Sequence, residues 1–224
     1  MGEGRPVRGL GVAHDERKQN ILEAVFEIVE EAGTDQVSIR HVAERARVSV
    51  GRVQHYFPTK DELLTAAFEA INQRGTERIR EQLESKRQVA PAAVVRTLLD
   101  ELVPARPEDV RMFRIATEFE SYAVRRPLLR ERLRAGYEDL TRLVTALLID
   151  SIGERSRADD VPSDELLTDR ARELLGLAVG MASLVVNGGI EVHDARRVLG
   201  SRAEQILRAV HGSDVDRAGR TNKR

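Results

Sequence analysis

Residues 38–60 read SIRHVAERARVSVGRVQHYFPTK and determine the fold of the N-terminal part of the chain. Ser38 and Ser49 each precede a short run with helical spacing, and serine is a favoured N-cap because its hydroxyl accepts from an otherwise unpaired backbone amide. The segment therefore predicts two short helices, 39–46 and 50–57, separated by a turn of about three residues. Small Ala43 at their crossing point favours the close packing that a helix-turn-helix over residues 38–56 requires.

The second helix of this pair directs several polar side chains outward. Val53 and Phe57 belong to its inward side, whereas an arginine, a glutamine and two polar aromatic residues are left outside. The second helix of a helix-turn-helix enters the major groove, so this face is suited to hydrogen bonding with DNA. The residues predicted to contact DNA are Ser38, Arg40, Ser49, Val50, Gly51, Arg52, Gln54, His55, Tyr56 and Lys60.

The rest of the chain is predicted to be helical almost throughout, because apolar residues recur three and four apart and β-type alternation is absent. A first helix is expected over about 15–32, and the Thr59–Glu62 capping box opens a long helix that extends to about Leu83. Further helices are expected over about 92–103, 108–125, 128–151, 163–187 and 194–211. The predicted fold is all-α with about nine helices, a three-helix helix-turn-helix head joined to a C-terminal helical bundle.

Breaks in the pattern predict four segments. Residues 1–13 are expected to form a flexible basic arm, 14–84 a DNA-binding domain, 91–211 a ligand-binding and dimerisation domain, and 212–224 a disordered tail. Four basic residues near the N-terminus, Arg5, Arg8, Arg17 and Lys18, could form an arm that reaches the DNA minor groove, but a disordered solubilising tail is the favoured interpretation.

Composition excludes several classes of protein. With 33% charged and 41% hydrophobic residues and no apolar run long enough to span a bilayer, a soluble cytoplasmic protein is expected. The absence of cysteine excludes disulfides, thiolate metal sites and cysteine nucleophiles. The five histidines are dispersed without metal-ligand spacing, and neither a phosphate-binding glycine loop nor a nucleophile elbow is present. No enzyme activity, metal or cofactor is therefore expected.

Charge is concentrated at the predicted helix-turn-helix. The whole chain has a formal net charge of -1, which argues against bulk coating of nucleic acid. Residues 38–60 nevertheless have a net charge of +4, although such a run also fits an ordinary solvated helix face.

The N-terminal part of the sequence resembles a known family. Residues 14–67 resemble the DNA-binding head of TetR-family regulators, most specifically over 50–64, where Tyr56-Phe57, Lys60 and an acidic-aliphatic helix start follow without gaps. The remainder resembles, less closely, a BetI-like C-terminal regulatory domain through 113–140. The glycine usual in the family's turn is replaced by Arg47, which adds a positive charge there.

The resemblance implies roles for individual residues. Arg52 is expected to contact a guanine edge with two hydrogen bonds, Gln54 an adenine or a phosphate, and Val50 or Gly51 a thymine methyl or the DNA backbone at close range. Tyr56 and Lys60 correspond to the family's phosphate contacts, and Ser38, Arg40 and Ser49 are further candidates. Each of these side chains could instead be an ordinary surface residue, or in the case of Tyr56 part of the core.

The C-terminal half is expected to bind a small-molecule effector and to form a homodimer. The predicted ligand-lining residues are Met112, Phe113, Phe119, Tyr122, Tyr137, Leu177 and Met181, each of which fits a plain core position as well. The stretch 174–186 is apolar on nearly all sides and rich in small residues. Together with Val198, Leu199, Ile206, Leu207 and Val210, it resembles the family's four-helix dimer interface; a helix buried within one chain is the alternative.

The predicted function is a ligand-responsive repressor that binds a palindromic operator in double-stranded DNA as a dimer and is released by an inducer. The alternative is an all-helical ligand-binding or adaptor protein without sequence-specific DNA binding. An exposed Arg52, Gln54, His55 and Tyr56 face distinguishes the two, because an adaptor does not require it.

Overall fold

In the computed structural model, residues 9–84, 90–152 and 162–211 are described, and their regular secondary structure is helical. A 3-10 helix at Thr34–Gln36 lies between α1 and α2. The nine α-helices of the described residues are α1 Gly9–Ala32, α2 Ile39–Arg45, α3 Val50–Tyr56, α4 Lys60–Glu84, α5 Pro91–Glu101, α6 Pro107–Ala123, α7 Pro127–Ile152, α8 Asp164–Val186 and α9 Val192–His211. The all-α prediction with an N-terminal helix-turn-helix is confirmed.

At the ends of the chain, the structure describes only part of the predicted N-terminal arm and none of the predicted tail. Helix α1 begins at Gly9, six residues before the expected start, so residues 9–13 of the predicted arm are helical. Residues 1–8 of that arm and the predicted tail 212–224 lie outside the described residues.

The predicted helix caps are present. The Ser38 hydroxyl accepts from the amide of His41 at 3.1 Å, and the Ser49 hydroxyl accepts from the amide of Arg52 at 3.2 Å. The Thr59 hydroxyl accepts from the amide of Glu62 at 3.1 Å, as the capping-box prediction requires. These bonds satisfy amides that the first turn of a helix leaves unpaired, and they fix where α2, α3 and α4 begin.

The turn between α2 and α3 depends on one left-handed residue. Arg47 has φ of 55°, and it is the only non-glycine residue with positive φ among the described residues. The next amide, that of Val48, then donates to the carbonyl of Ala43 at 2.9 Å and closes the end of α2. A left-handed conformation is costly for a residue with a Cβ, which gives a physical reason for a glycine at this position.

The chain divides into two compact units. The first contains the described residues of Met1–Gln73 together with Arg114–Arg132, so the end of α6 and the start of α7 belong with the helix-turn-helix. Buried residues include Val25 of α1, Val42 of α2 and Val53 of α3. Phe68 of α4 packs edge-on against Phe119 of α6, with ring centroids 6.2 Å apart. The predicted domain boundary at residues 84–91 does not coincide with this division, because the first unit ends within α4 at Gln73 and also includes Arg114–Arg132.

The second unit contains Arg74–Phe113 and the described residues from Leu133 onward. Helices α5, α8 and α9 pack on one another, and α7 adds Val144, Leu148 and Ile152 to their core. Leu199, Ile206 and Leu207 lie in this same core, so the chain itself covers these three side chains, and a dimer interface through α9 stays a prediction. Their apolar stripe is covered within the unit, by α5 and α8.

No helix among the described residues combines the length and the apolar character needed to cross a membrane.

Candidate nucleic-acid interface

Helix α3 is held by a small buried face and presents a polar one. Val53 is fully buried, and Phe57, which follows the last residue of the helix, is 4% exposed. On the other side Arg52, Gln54 and His55 are exposed. This arrangement agrees with the predicted division of α3 into inward and outward residues. It leaves the side chains best suited to base recognition on the surface of a short, capped helix.

The first turn of α3 has room for a close approach. Val50 is 41% exposed, and a Cβ placed on exposed Gly51 would meet no other atom within 4 Å. Tyr56, at the other end of the helix, is half-buried, with its ring 5.4 Å from that of His55 in an edge-on arrangement. A surface with a glycine at its N-terminal end and polar side chains beyond it can reach base edges and backbone together.

The residues around the turn are also exposed. Ser38, Arg40, Arg47 and Ser49 all lie at the surface. The two serine hydroxyls accept from helix amides, so each retains its own hydrogen to donate to an external oxygen. With Arg52, the two arginines Arg40 and Arg47 provide exposed positive charge on the helix-turn-helix.

Arg45 contributes to the positive charge of the sequence but not to this surface. Its guanidinium donates to both carboxylate oxygens of Glu31, at 2.8 and 2.6 Å, and lies 3.4 Å from Glu27. The hydrogen bond from Arg45 lowers the pKa of Glu31, and the same bond raises the pKa of Arg45. Because its partners are carboxylates on α1, Arg45 joins α2 to α1. The net charge of +4 therefore overstates the charge that the helix-turn-helix offers to DNA.

Lys60 is engaged within its own unit. Its ammonium donates to the carbonyl of Asp35 at 3.0 Å and lies 5.7 Å from the centre of the Tyr122 ring. Burial lowers the pKa of Lys60, and the nearby Asp35 carboxylate opposes this effect. A phosphate contact by Lys60, which stays a prediction, therefore competes with an internal hydrogen bond.

The predicted ligand-lining residues are distributed between the two units. Phe119 and Tyr122 belong to the first unit, Phe119 fully buried and Tyr122 half-buried. The other five belong to the second unit: Met112, Phe113, Tyr137, Leu177 and Met181. Leu177 and Met181 pack against its core, whereas Tyr137 is 45% exposed. Their role in ligand binding stays a prediction.

Two contacts of this region were not anticipated from the sequence. One is the Arg45 pair with Glu27 and Glu31; the other is Arg126, whose guanidinium lies 4.9 Å from the centre of the Tyr122 ring. The only local signal for the second is the basic pair before Pro127, which by itself indicates no more than a solvated turn.

Known bacterial transcriptional regulators match different lengths of this chain. The family model "Bacterial regulatory proteins, tetR family" matches residues 21–67, which contain α2, α3 and the start of α4. HTH-type transcriptional regulator PksA of Bacillus subtilis is 33% identical over 50% of this chain and 54% of its own length. HTH-type transcriptional regulator BetI of Yersinia pestis is 32% identical over 38% of this chain and 42% of its own.

A solved structure matches over almost the whole chain. A putative TetR-family transcriptional regulator from Rhodococcus sp. is 23% identical, with a TM-score of 0.73 over 86% of this chain and 99% of that one. At this level of identity the similarity shows the fold.

The capped helices α2 and α3, with their exposed polar face, have the form of a helix-turn-helix, and they lie within the segment that matches the TetR-family model. The chain is therefore similar to TetR-family regulators in sequence over this segment, and it shares the fold of such a protein over 86% of its length. The chain spans about half the length or less of the curated relatives PksA and BetI. A BetI-like C-terminal domain therefore stays a prediction.

Proposed function

We propose that the protein is a cytoplasmic repressor that binds a palindromic operator as a homodimer and is released by a small-molecule effector. The observation that carries this proposal is α3, a helix anchored by buried Val53 and Phe57 whose exposed side chains suit base recognition. An all-helical adaptor does not require such a face, because exposed arginine and glutamine side chains add nothing to the stability of the fold.

The proposed DNA contacts divide into base reading and positioning. Arg52 reads a guanine edge, Gln54 an adenine or a neighbouring phosphate, and His55 lies beside them. Gly51 and Val50 permit a close approach or contact a thymine methyl. Ser38, Arg40 and Ser49 bind phosphates, which fixes the helix in the groove without reading sequence. Exposed Arg47, in the turn, adds to the phosphate-facing charge.

The homodimer is proposed to form through the outer face of α8. One face of this helix is buried through residues such as Ala171, Leu174 and Ala178. The opposite face exposes Val179 by 40% and Leu184 by 46%, with exposed Gly176 and Gly180 beside them. Such a surface is apolar enough to bury, and its glycines allow the backbones of two helices to approach closely. A two-fold dimer then places two α3 helices about 34–36 Å apart, one turn of DNA.

The test is selection from a pool of random DNA duplexes with the full chain. We expect enrichment of an inverted repeat whose half-sites are about one DNA turn apart. A parallel selection with Arg52→Ala should recover the same repeat with one base position relaxed in each half-site. Failure of the native chain to enrich any sequence contradicts the proposal and favours the adaptor alternative.

A further inference from the structure

A cavity of about 210 Å³ lies within the first unit, lined by the start of α4, the end of α6 and the start of α7. Its apolar wall consists of Leu64, Pro127, Leu128 and Leu129. Leu128 of this wall is 74% exposed. The volume is below the roughly 300–1,000 Å³ of sites for drug-sized ligands, so the cavity fits a small molecule.

The polar end of the cavity contains a hydroxyl with an unmet hydrogen-bonding capacity. The hydroxyl of Tyr122 is buried and makes no hydrogen bond of ordinary geometry among the described residues, although the Arg126 guanidinium lies close to it. A buried polar atom of this kind is uncommon, because it loses its bonds to water without gaining others. Burial raises the pKa of Tyr122, and the carboxylates of Asp61 and Asp35 act in the same direction, whereas the Arg126 guanidinium beside the hydroxyl lowers it. The hydroxyl is therefore protonated at neutral pH and can donate.

The charges around this hydroxyl favour an anion. Arg125 and Arg126 line the cavity together with Asp61, and the Asp35 carboxylate also acts on the hydroxyl, so three cations among the described residues, including Lys60, face two carboxylates. The Arg126 guanidinium lies over the Tyr122 ring from one side, and the Lys60 ammonium lies 5.7 Å from the same ring. A ligand that accepts a hydrogen bond and carries negative charge would satisfy the hydroxyl and the nearby cations together.

We propose that this cavity binds a small monocarboxylate with a short aliphatic chain. The carboxylate accepts from the Tyr122 hydroxyl and pairs with Arg126, and the chain lies against Leu64 and Leu129. This site names the class of effector for the proposed repressor. Its role in regulation therefore rests on the proposed function. Because α4 begins at Lys60, four residues after α3 ends at Tyr56, a ligand there contacts the first turns of the helix that follows the recognition helix.

The first test compares three probes that share one aliphatic chain: hexanoate, 1-hexanol and hexylamine. Calorimetric titration into the full chain should show hexanoate binding at least about tenfold more tightly than the other two, since hydrogen bonds to a charged group are the stronger ones. Equal affinities overturn the proposal, and so does tighter binding of hexylamine, which would assign Asp61 and the Tyr122 ring to a cation.

The second test uses matched substitutions. Tyr122→Phe retains the ring and its cation contacts but removes the donor, and Arg126→Gln removes the charge; each should weaken hexanoate about tenfold or more. Arg130→Gln, at an exposed position outside the cavity lining, is the matched control for the loss of charge and should bind as the native chain does. Native-like hexanoate binding by Tyr122→Phe overturns the proposal.

Two further measurements separate the possible failures. Thermal melting should show Tyr122→Phe folded and no less stable than the native chain, because the substitution removes no hydrogen bond of ordinary geometry among the described residues. Duplex selection with the same preparation tests the proposed regulator without any ligand. Sequence-specific DNA binding without hexanoate binding overturns this site alone, whereas hexanoate binding without DNA selection overturns the repressor alone.

Discussion

Arg52 and Arg40 are both exposed on the helix-turn-helix, and the proposed function assigns a base contact to the first and a phosphate contact to the second. Arg52→Ala should cost about 1–3 kcal/mol per half-site and relax preference at one base position, because a guanine contact is lost. Arg40→Ala should weaken operator and random duplexes alike and reduce the salt slope by about 1, because a phosphate contact is lost. Fluorescence anisotropy at several salt concentrations measures both. If the two substitutions have the same effect on operator and random DNA, the assignment of α3 as the reading helix is wrong.

Arg47 offers a test of backbone strain in the turn. Arg47→Gly and Arg47→Ala remove the same charged side chain, but only glycine adopts φ of 55° without a Cβ penalty. We expect the glycine variant to be more stable than the alanine variant by about 1 kcal/mol, measured by urea unfolding. Equal stability of the two, or a more stable alanine variant, would mean that the turn adjusts and stores no strain.

The side chains that could be predicted from the sequence are those with local partners. Ser38, Ser49 and Thr59 cap helices through amides three residues away, so the pattern alone identifies them. Arg45 and Lys60 bind groups 14 to 25 residues distant, and no local pattern determines where such long side chains point. For the same reason, Lys60→Ala is a poor probe of phosphate binding, since it also removes a bond that holds the unit together.

At the scale of the element, α3 is a short helix whose first turn contains a glycine. Gly51→Ala should stabilise the protein by up to about 1 kcal/mol, because alanine has the higher helix propensity and its Cβ meets no atom within 4 Å. The same substitution should weaken operator binding, since the Cβ occupies the space through which α3 approaches DNA. Thermal melting and anisotropy measure the two effects.

Gly75→Ala is the matched control for this prediction. Gly75 lies in the middle of α4 and also has no atom within 4 Å of an added Cβ, so its substitution should give a similar gain in stability. Its operator affinity should equal that of the native chain. Native operator affinity in Gly51→Ala as well would show that Gly51 does not serve a close approach.

The bounds of most elements could be predicted within two residues, for reasons visible in the sequence. Prolines at 91, 107 and 127 begin α5, α6 and α7, because proline fits the first position of a helix and ends the preceding pattern. The start of α1 could not, because Gly9 and Gly11 lower the local helix propensity and no capping residue marks the beginning.

At the scale of the whole molecule, the sequence predicted the helices better than the site between them. The seven predicted ligand residues are apolar or aromatic and lie on the expected helices, yet the packing assigns them to two compact units. Periodicity shows that a side chain faces inward but does not show which core it enters. Conversely, the cavity at Tyr122 depends on two arginines in a turn, which hydrophobic patterns do not report.

The proposed dimer gives the next prediction. Gly180→Arg places a bulky charge on the outer face of α8, where the space within the chain is open, so the protomer should fold normally. The dimer expected for the native chain should dissociate, because the two helices could no longer approach closely. Multi-angle light scattering at micromolar concentration measures the mass. Gly75→Arg is the control for the chemical change and should remain a dimer; a native chain that is monomeric, or an unaffected Gly180→Arg, contradicts the proposed interface.

Control by an effector is the last prediction, and it concerns the connection between ligand and DNA. Helix α4 is continuous and contributes to both units, Lys60–Gln73 to the first and Arg74–Glu84 to the second. A ligand that binds best when the two α3 helices depart from one-turn spacing lowers DNA affinity, because both grooves can no longer be filled together. Linkage requires the reverse effect to be equal, so operator DNA should weaken the releasing ligand by the same factor, typically about 5–150-fold.

The measurement is calorimetric titration of hexanoate, or of any ligand found to release the operator, into free and operator-bound protein. The ratio of the two ligand affinities should equal the ratio of operator affinities measured with and without saturating ligand, because the four states form a closed thermodynamic cycle. Lys60→Ala is not a valid comparison, because it removes a hydrogen bond within the first unit, whereas Arg130→Gln should reproduce the native ratio. Identical ligand affinities in the two titrations would exclude allosteric release, and complete exclusion of ligand by DNA would instead mean that the two compete directly for one surface.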